Sequence, residues 1–86
     1  MKLIHKHRLA HGSLNKIPMD VDAKVVFASM QDGFVTVWVE KDESGLESRT
    51  VRSFRIYPTG VNIEDTHQYV ATVMDGPFVW HVYEVK

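Results

Sequence analysis

"KVVFASMQDGFVTVWVEK", Lys24 to Lys41, decides the fold. Two runs rich in Val, Phe and Trp flank Asp32-Gly33, and Asp-Gly tolerates the positive φ angles that a two-residue hairpin turn requires. Strands are therefore predicted over 24–31 and 34–41. Outward from this hairpin the chain repeats the pattern, strand after strand with turn residues between. Lys2 to Leu9 is a first strand, and Ala10-His11-Gly12-Ser13 is a turn. Leu14 to Ile17 is a short extended piece that Pro18 ends or keeps at a sheet edge. Asp42-Glu43-Ser44-Gly45-Leu46-Glu47 reads as a polar, solvated, mobile loop. Arg49 to Tyr57 is a strand stopped by Pro58-Thr59-Gly60. Val61 to His67 has room for one helical turn and no long helix. A second hairpin, 68–74 and 78–85, turns at Asp75-Gly76-Pro77.

The two hairpins resemble each other: "ASMQDGFVTVWVE" from Ala28 and "ATVMDGPFVWHVYE" from Ala71. A duplicated unit is one explanation. The simpler one is that hairpins favour Asp-Gly turns and aromatic strands. Strands at this spacing, without amphipathic helices between them, predict one all-β domain over residues 1–86. The expected form is a small antiparallel sandwich or partly open barrel of six to seven strands built on hairpins.

The chain has 86 residues and no cysteine, so neither disulfides nor thiolate-bound zinc staple it. Self-association is the remaining usual staple. Ten Lys and Arg against eleven Asp and Glu leave no net field for generic nucleic-acid or membrane binding. No apolar run approaches a membrane span, and the first residues lack the apolar core of a signal peptide, so the protein is expected to stay where it is made.

The closing strand packs apolar residues on both faces. Phe78, Trp80 and Val82 point one way; Val79, His81, Tyr83 and Val85 point the other. The second group is expected to be a subunit interface. His81 is either a switchable donor in an aromatic pocket or a structural histidine bonded to a neighbouring strand.

On "RTVRSFRIYPTG", alternation aligns Arg49, Ser53, Arg55 and Tyr57, with Thr59-Gly60 following. Guanidinium groups, an aromatic ring and a glycine turn suit an anionic ligand that also stacks. The candidate ligand residues are Arg49, Arg55, Tyr57, Thr59 and His81. The competing explanation is a solvated strand whose arginines pair with Glu40, Glu43 or Glu47. His5 and His7 share one strand face and, with His81, would make a three-nitrogen metal site. No adjacent metal motif accompanies them, so no metal and no cofactor is expected. The serines stand in no nucleophile-elbow pattern and there is no phosphate-binding glycine loop, which favours a non-enzymatic role.

Taken together, "IHKHRL", the "QDG" hairpin, "RSFRIYPTG" and "YVATVMDGPFVWHVYE" resemble a family of small uncharacterised proteins of tailed bacteriophages. The family ending, Val-Trp-His-Val-aromatic-Glu, is matched by Val79, Trp80, His81, Val82, Tyr83 and Glu84. Its central pattern ends in Gly-Thr-Gly, where this chain has Pro58-Thr59-Gly60, and proline removes a backbone donor. The resemblance implies a phage-encoded protein in the host cytoplasm. It further suggests an inhibitor of antiphage defence that sequesters a nucleotide-like signal or masks a host protein. An accessory virion protein and a metal-dependent enzyme using His5 and His7 are the alternatives.

Overall fold

A computed structural model of the chain describes residues 1–42 and 49–86. The all-β expectation holds: β1 (Lys2–Leu9), β2 (Asn15–Asp20), β3 (Lys24–Gln31), β4 (Phe34–Asp42), β5 (Arg49–Pro58), β6 (Gln68–Asp75) and β7 (Phe78–Val85). They form two antiparallel sheets, β1-β4-β3 and β2-β5-β7-β6, which do not close into a barrel. No helix forms among the described residues. Instead of a helical turn, 61–67 holds a turn in which the His67 N–H donates to the Glu64 carbonyl at 3.0 Å. The expected acidic loop lies, beyond Asp42, outside the described residues.

Both hairpins are tight. Asp32 and Gly33 adopt φ of 52° and 83°, the paired positive angles of a turn whose twist suits the strands. In the second, Gly76 has φ 56° and Pro77 follows, so proline supplies the fixed negative angle that the next position needs. Pro18 lies within β2, at the edge of the four-stranded sheet, where its missing N–H costs no ladder bond.

The topology repeats. β1 pairs with β4, the returning strand of the β3–β4 hairpin, and β5 pairs with β7, the returning strand of the β6–β7 hairpin. Each hairpin also carries a register shift in its first strand, between Val25 and Phe27 and between Tyr69 and Ala71. The sequence likeness of the two hairpins thus extends to their pairing and their bulges.

Alternation sets the core. Val35, Val37 and Val39 point inward from β4, Phe54 and Ile56 from β5, and Val73 and Val82 from β6 and β7. Leu9, Ile17 and Met19 close it from the outer strands. Each such side chain contributes roughly 1.5–3 kcal/mol on burial. Gly33→Ala should keep the fold yet lower the melting temperature. No atom lies near an added Cβ, so the cost is backbone strain alone. That strain is about 1–2 kcal/mol, which corresponds to a shift of about 4–8 °C per kcal/mol. A thermal melt by circular dichroism checks it.

Candidate functional site

β5 and β7 lie side by side in register, with Tyr57 opposite His81 and Arg55 opposite Tyr83. These four residues project from the outer face of the four-stranded sheet, because Phe54, Ile56 and Val82 occupy the alternate, buried positions. β6 adds Tyr69 opposite Tyr83 and Thr72 opposite His81. The Tyr83 ring meets Tyr57 and Tyr69 edge-on, with centroids 5.9 and 5.6 Å away. Such edge-to-face contacts orient the three rings into one row.

His81 is held at both ring nitrogens. Thr59 Oγ1 lies 2.8 Å from Nε2 and Thr72 Oγ1 3.2 Å from Nδ1. The Tyr69 hydroxyl continues the chain to Thr72 at 2.8 Å. A hydroxyl both donates and accepts, so this clamp accommodates either tautomer and fixes the ring plane.

The candidate ligand residues Arg55, Tyr57, Thr59 and His81 are therefore brought together. Arg49 is not. It shares their strand and alternation but sits six residues from Arg55, roughly 20 Å along an extended strand, so the two arginines cannot grip one small anion. Arg55 has no ion-pair partner among the described residues. Of the carboxylates considered for it, Glu40 pairs with Lys2 on the other sheet at 3.4 Å, and Glu43 and Glu47 lie outside the described residues. Val79, His81, Tyr83 and Val85, the expected interface group, share this outer face and are half-buried. Two hollows flank the face. One, of about 370 Å³, lies between Pro58-Thr59 and Phe78-Val79-Trp80. The other, of about 440 Å³, lies beside Tyr57 and carries Glu64 and Asp65, which repel an anion.

His5 and His7 stand on the other sheet, with ring centroids 6.5 Å apart. His81 does not join them, and no cluster of three or more metal-ligating side chains occurs among the described residues. His7 Nε2 instead accepts from the buried Lys41 ammonium at 3.0 Å. Burial first, then the Lys41 and His5 charges, holds the His7 imidazole below the ordinary histidine value. Burial and the Arg49 charge lower Lys41 in turn, against the opposing pull of Asp20.

Arg52 and Glu84 stand outside the ligand residues expected from the sequence. Both occupy inward positions, and Arg52 Nε and Nη2 donate to the two Glu84 carboxylate oxygens at 2.8 and 2.9 Å. The Arg52 hydrogen bond, partly offset by burial, holds the Glu84 carboxyl below the usual glutamate range. A charge on the apolar alternation of each of two neighbouring strands was the available signal, since inward charges persist only when paired.

These features define a small all-β sandwich protein whose outer sheet face carries a hydroxyl-clamped histidine in a row of tyrosines. The chain belongs to the family described as Domain of unknown function (DUF7352), whose model matches residues 1–86. No curated protein and no solved structure matches it.

The lowered His7 value makes stability pH-dependent. A histidine whose folded value is depressed contributes stability that is present above about pH 6.5 and lost as pH falls toward its folded value. Melting temperatures should therefore fall between pH 7 and pH 5, with one proton contributing at most about 1.4 kcal/mol per pH unit. His7→Gln, which keeps an acceptor for Lys41, should flatten that slope. An equal slope in the variant would place the titration elsewhere.

Proposed function

We propose that this protein is a non-enzymatic, self-associating binding protein whose working surface is the outer face of the four-stranded sheet. The observation that carries the reading is His81, clamped by Thr59 and Thr72 within a row of three tyrosines, with Arg55 beside it and without an ion-pair partner among the described residues. Clamping a histidine on a half-exposed surface gives little stability for its cost in side-chain freedom. It does pre-order a donor or acceptor for a partner.

The chemistry suits a flat anionic ligand such as a nucleotide-like signal. Arg55 supplies a guanidinium for the anion, and the tyrosine rings supply stacking and edge contacts. Val79, Tyr83 and Val85 supply apolar area for a second copy, which would enclose the ligand between subunits. In the phage context that the sequence resemblance implies, the protein acts in the host cytoplasm and relieves antiphage defence by sequestering the signal.

Two measurements test this. Tyr83→Glu introduces a carboxylate into the tyrosine row and should turn an oligomer into a monomer in sedimentation at micromolar concentration. A wild-type monomer across the accessible range removes the self-association premise. Arg55→Ala should melt like wild type, because Arg55 supports no other described residue. It should still weaken anion binding by about 10- to 100-fold, the worth of one charge-assisted contact, and reduce phage plating on defence-carrying hosts. Plating equal to wild type would leave Arg55 as solvated surface.

A further inference from the structure

The solvent face of the three-stranded sheet carries exposed aromatic rings. Trp38 lies on β4 between the buried Val37 and Val39, so its ring leaves the sheet on the side away from the core. Regular alternation from Val25, which packs against the core, would turn Phe27 inward as well. The register shift between them instead sets Phe27 opposite Trp38, where it is 59% exposed and its ring centroid lies 5.4 Å from that of the indole. Phe34 adds a third, exposed ring at the turn end of β4. Turning a phenylalanine out of the core forfeits apolar burial, and bulges re-aim side chains at working surfaces.

Cations stand beside these rings, and their contacts fix where each one lies. β1 has no carboxylate, and Lys2, Lys6 and Arg8 alternate onto this same face. Lys6 sits opposite Trp38, and its ammonium donates to Gln31 Oε1 at 2.7 Å, reaching across β4. It has no ion pair among the described residues. The Arg8 guanidinium lies 4.7 Å from the centroid of the Phe34 ring. Its ion pair with Asp32 is 3.8 Å long with both side chains more than half exposed, so water screens it. Towards the other end Lys2 pairs with Glu40 at 3.4 Å, and Lys24 and Asp42 gather there too, so that end is balanced and bounds the surface.

We propose that this face binds single-stranded DNA, with two or three bases stacking on Trp38, Phe27 and Phe34 while Lys6 and Arg8 take the phosphates. Sequence-tolerant single-strand sites combine these two elements, rings for the base faces and a line of cations for the backbone. Sheet faces can stack two or three bases at a time, and Trp38 and Phe34, four residues apart, span about 14 Å. The charge interleaved with the rings argues against other occupants. A bilayer would strip water from Lys6, Arg8 and Asp32 to admit the rings. A second copy would bring the same groups into an interface centre, which is ordinarily depleted of charge. DNA is favoured over RNA because the acceptors that would read a 2′-hydroxyl are engaged: Gln31 Oε1 by Lys6 and Glu40 by Lys2, while the buried Thr36 hydroxyl donates to the Phe34 carbonyl. This face belongs to the other sheet from His81 and its tyrosines, so the proposal stands apart from the function proposed for them.

The test is fluorescence anisotropy of a labelled oligothymidylate titrated with the protein from low to physiological salt, with its duplex, an oligouridylate, and vesicles of phosphatidylglycerol and phosphatidylcholine in parallel. The oligothymidylate should bind saturably, and its log affinity should fall against log salt with a slope of about −1.4, the value for two phosphates neutralised on a single strand. Phe27→Ala removes an exposed ring, so it should melt like wild type yet bind about 5- to 100-fold more weakly. Lys6→Met should also fold and should halve the slope to about −0.7. The absence of saturable binding, or unchanged affinity in both folded variants, overturns the site. A flat salt response overturns the role of the cations, and equally tight binding of the duplex overturns that of the rings. Tighter binding of oligouridylate overturns the choice of DNA, and binding of the vesicles in its place overturns a nucleic-acid partner. Loss of strand binding in Arg55→Ala would move the DNA to the four-stranded sheet and overturn this face.

Discussion

The bidentate pair between Arg52 and Glu84 constrains the rest of the molecule. It ties β5 to β7 by side chains as well as by the ladder, and the same guanidinium reaches the carbonyls of Val21 and Ala23 in the β2–β3 connection. The chain crosses from the four-stranded sheet to the three-stranded sheet there, so one side chain fixes the passage between layers. With 19% and 9% of the two side chains exposed, the pair is mostly desolvated. A desolvated pair adds little net stability, but losing either partner leaves a buried charge at a cost of about 3–5 kcal/mol. Its contribution is thus specificity of arrangement. Acid acts on the same pair, because the stability held by a depressed carboxyl is present above its ordinary value and lost as pH falls through its folded value.

Sidedness then distributes the chemistry. On β5, Arg52, Phe54 and Ile56 face inward and Ser53, Arg55 and Tyr57 outward, so consecutive arginines on this strand, Arg52 and Arg55, do opposite work. On β7, Glu84 faces Arg52's side while His81 and Tyr83 face Arg55's. Two central strands thereby equip both faces of one sheet. This answers why the closing strand is apolar on both sides: Val82 completes the core, and Tyr83 anchors a row of rings on the far face.

Most of the fold was legible because it rests on short-range rules. Asp32-Gly33 announced its turn through the φ angles those residues accept, and Pro18 announced an edge through its missing N–H. The outer site was legible only in part. Period-two alternation aligned Arg49 with Arg55 correctly but carries no sense of reach, so it grouped residues that lie too far apart to share a ligand. Tyr69 and Thr72 were invisible to it for a different reason. Three residues apart, they belong on opposite faces of a regular strand, and the bulge at Val70 brings them to the same face and into a 2.8 Å hydrogen bond. A one-residue register shift leaves no local mark in the sequence. The Arg52–Glu84 pair spans 32 residues and needs the β5–β7 register before it exists.

Edge protection bears on the proposed self-association. β1 is an open edge of the three-stranded sheet, but its outer face carries Lys2, Lys6 and Arg8, and β2, an edge of the other sheet, carries Pro18. The remaining edges, β3 and β6, are both bulged, and they are the strands in closest contact between the sheets. Charge, proline and bulges are the devices that discourage strand-to-strand addition. With every edge blunted by one of them, growth of a continuous sheet from copy to copy is the costly route. The proposed face-to-face contact through the tyrosine row would avoid that cost and, unlike edge pairing, would close after two copies.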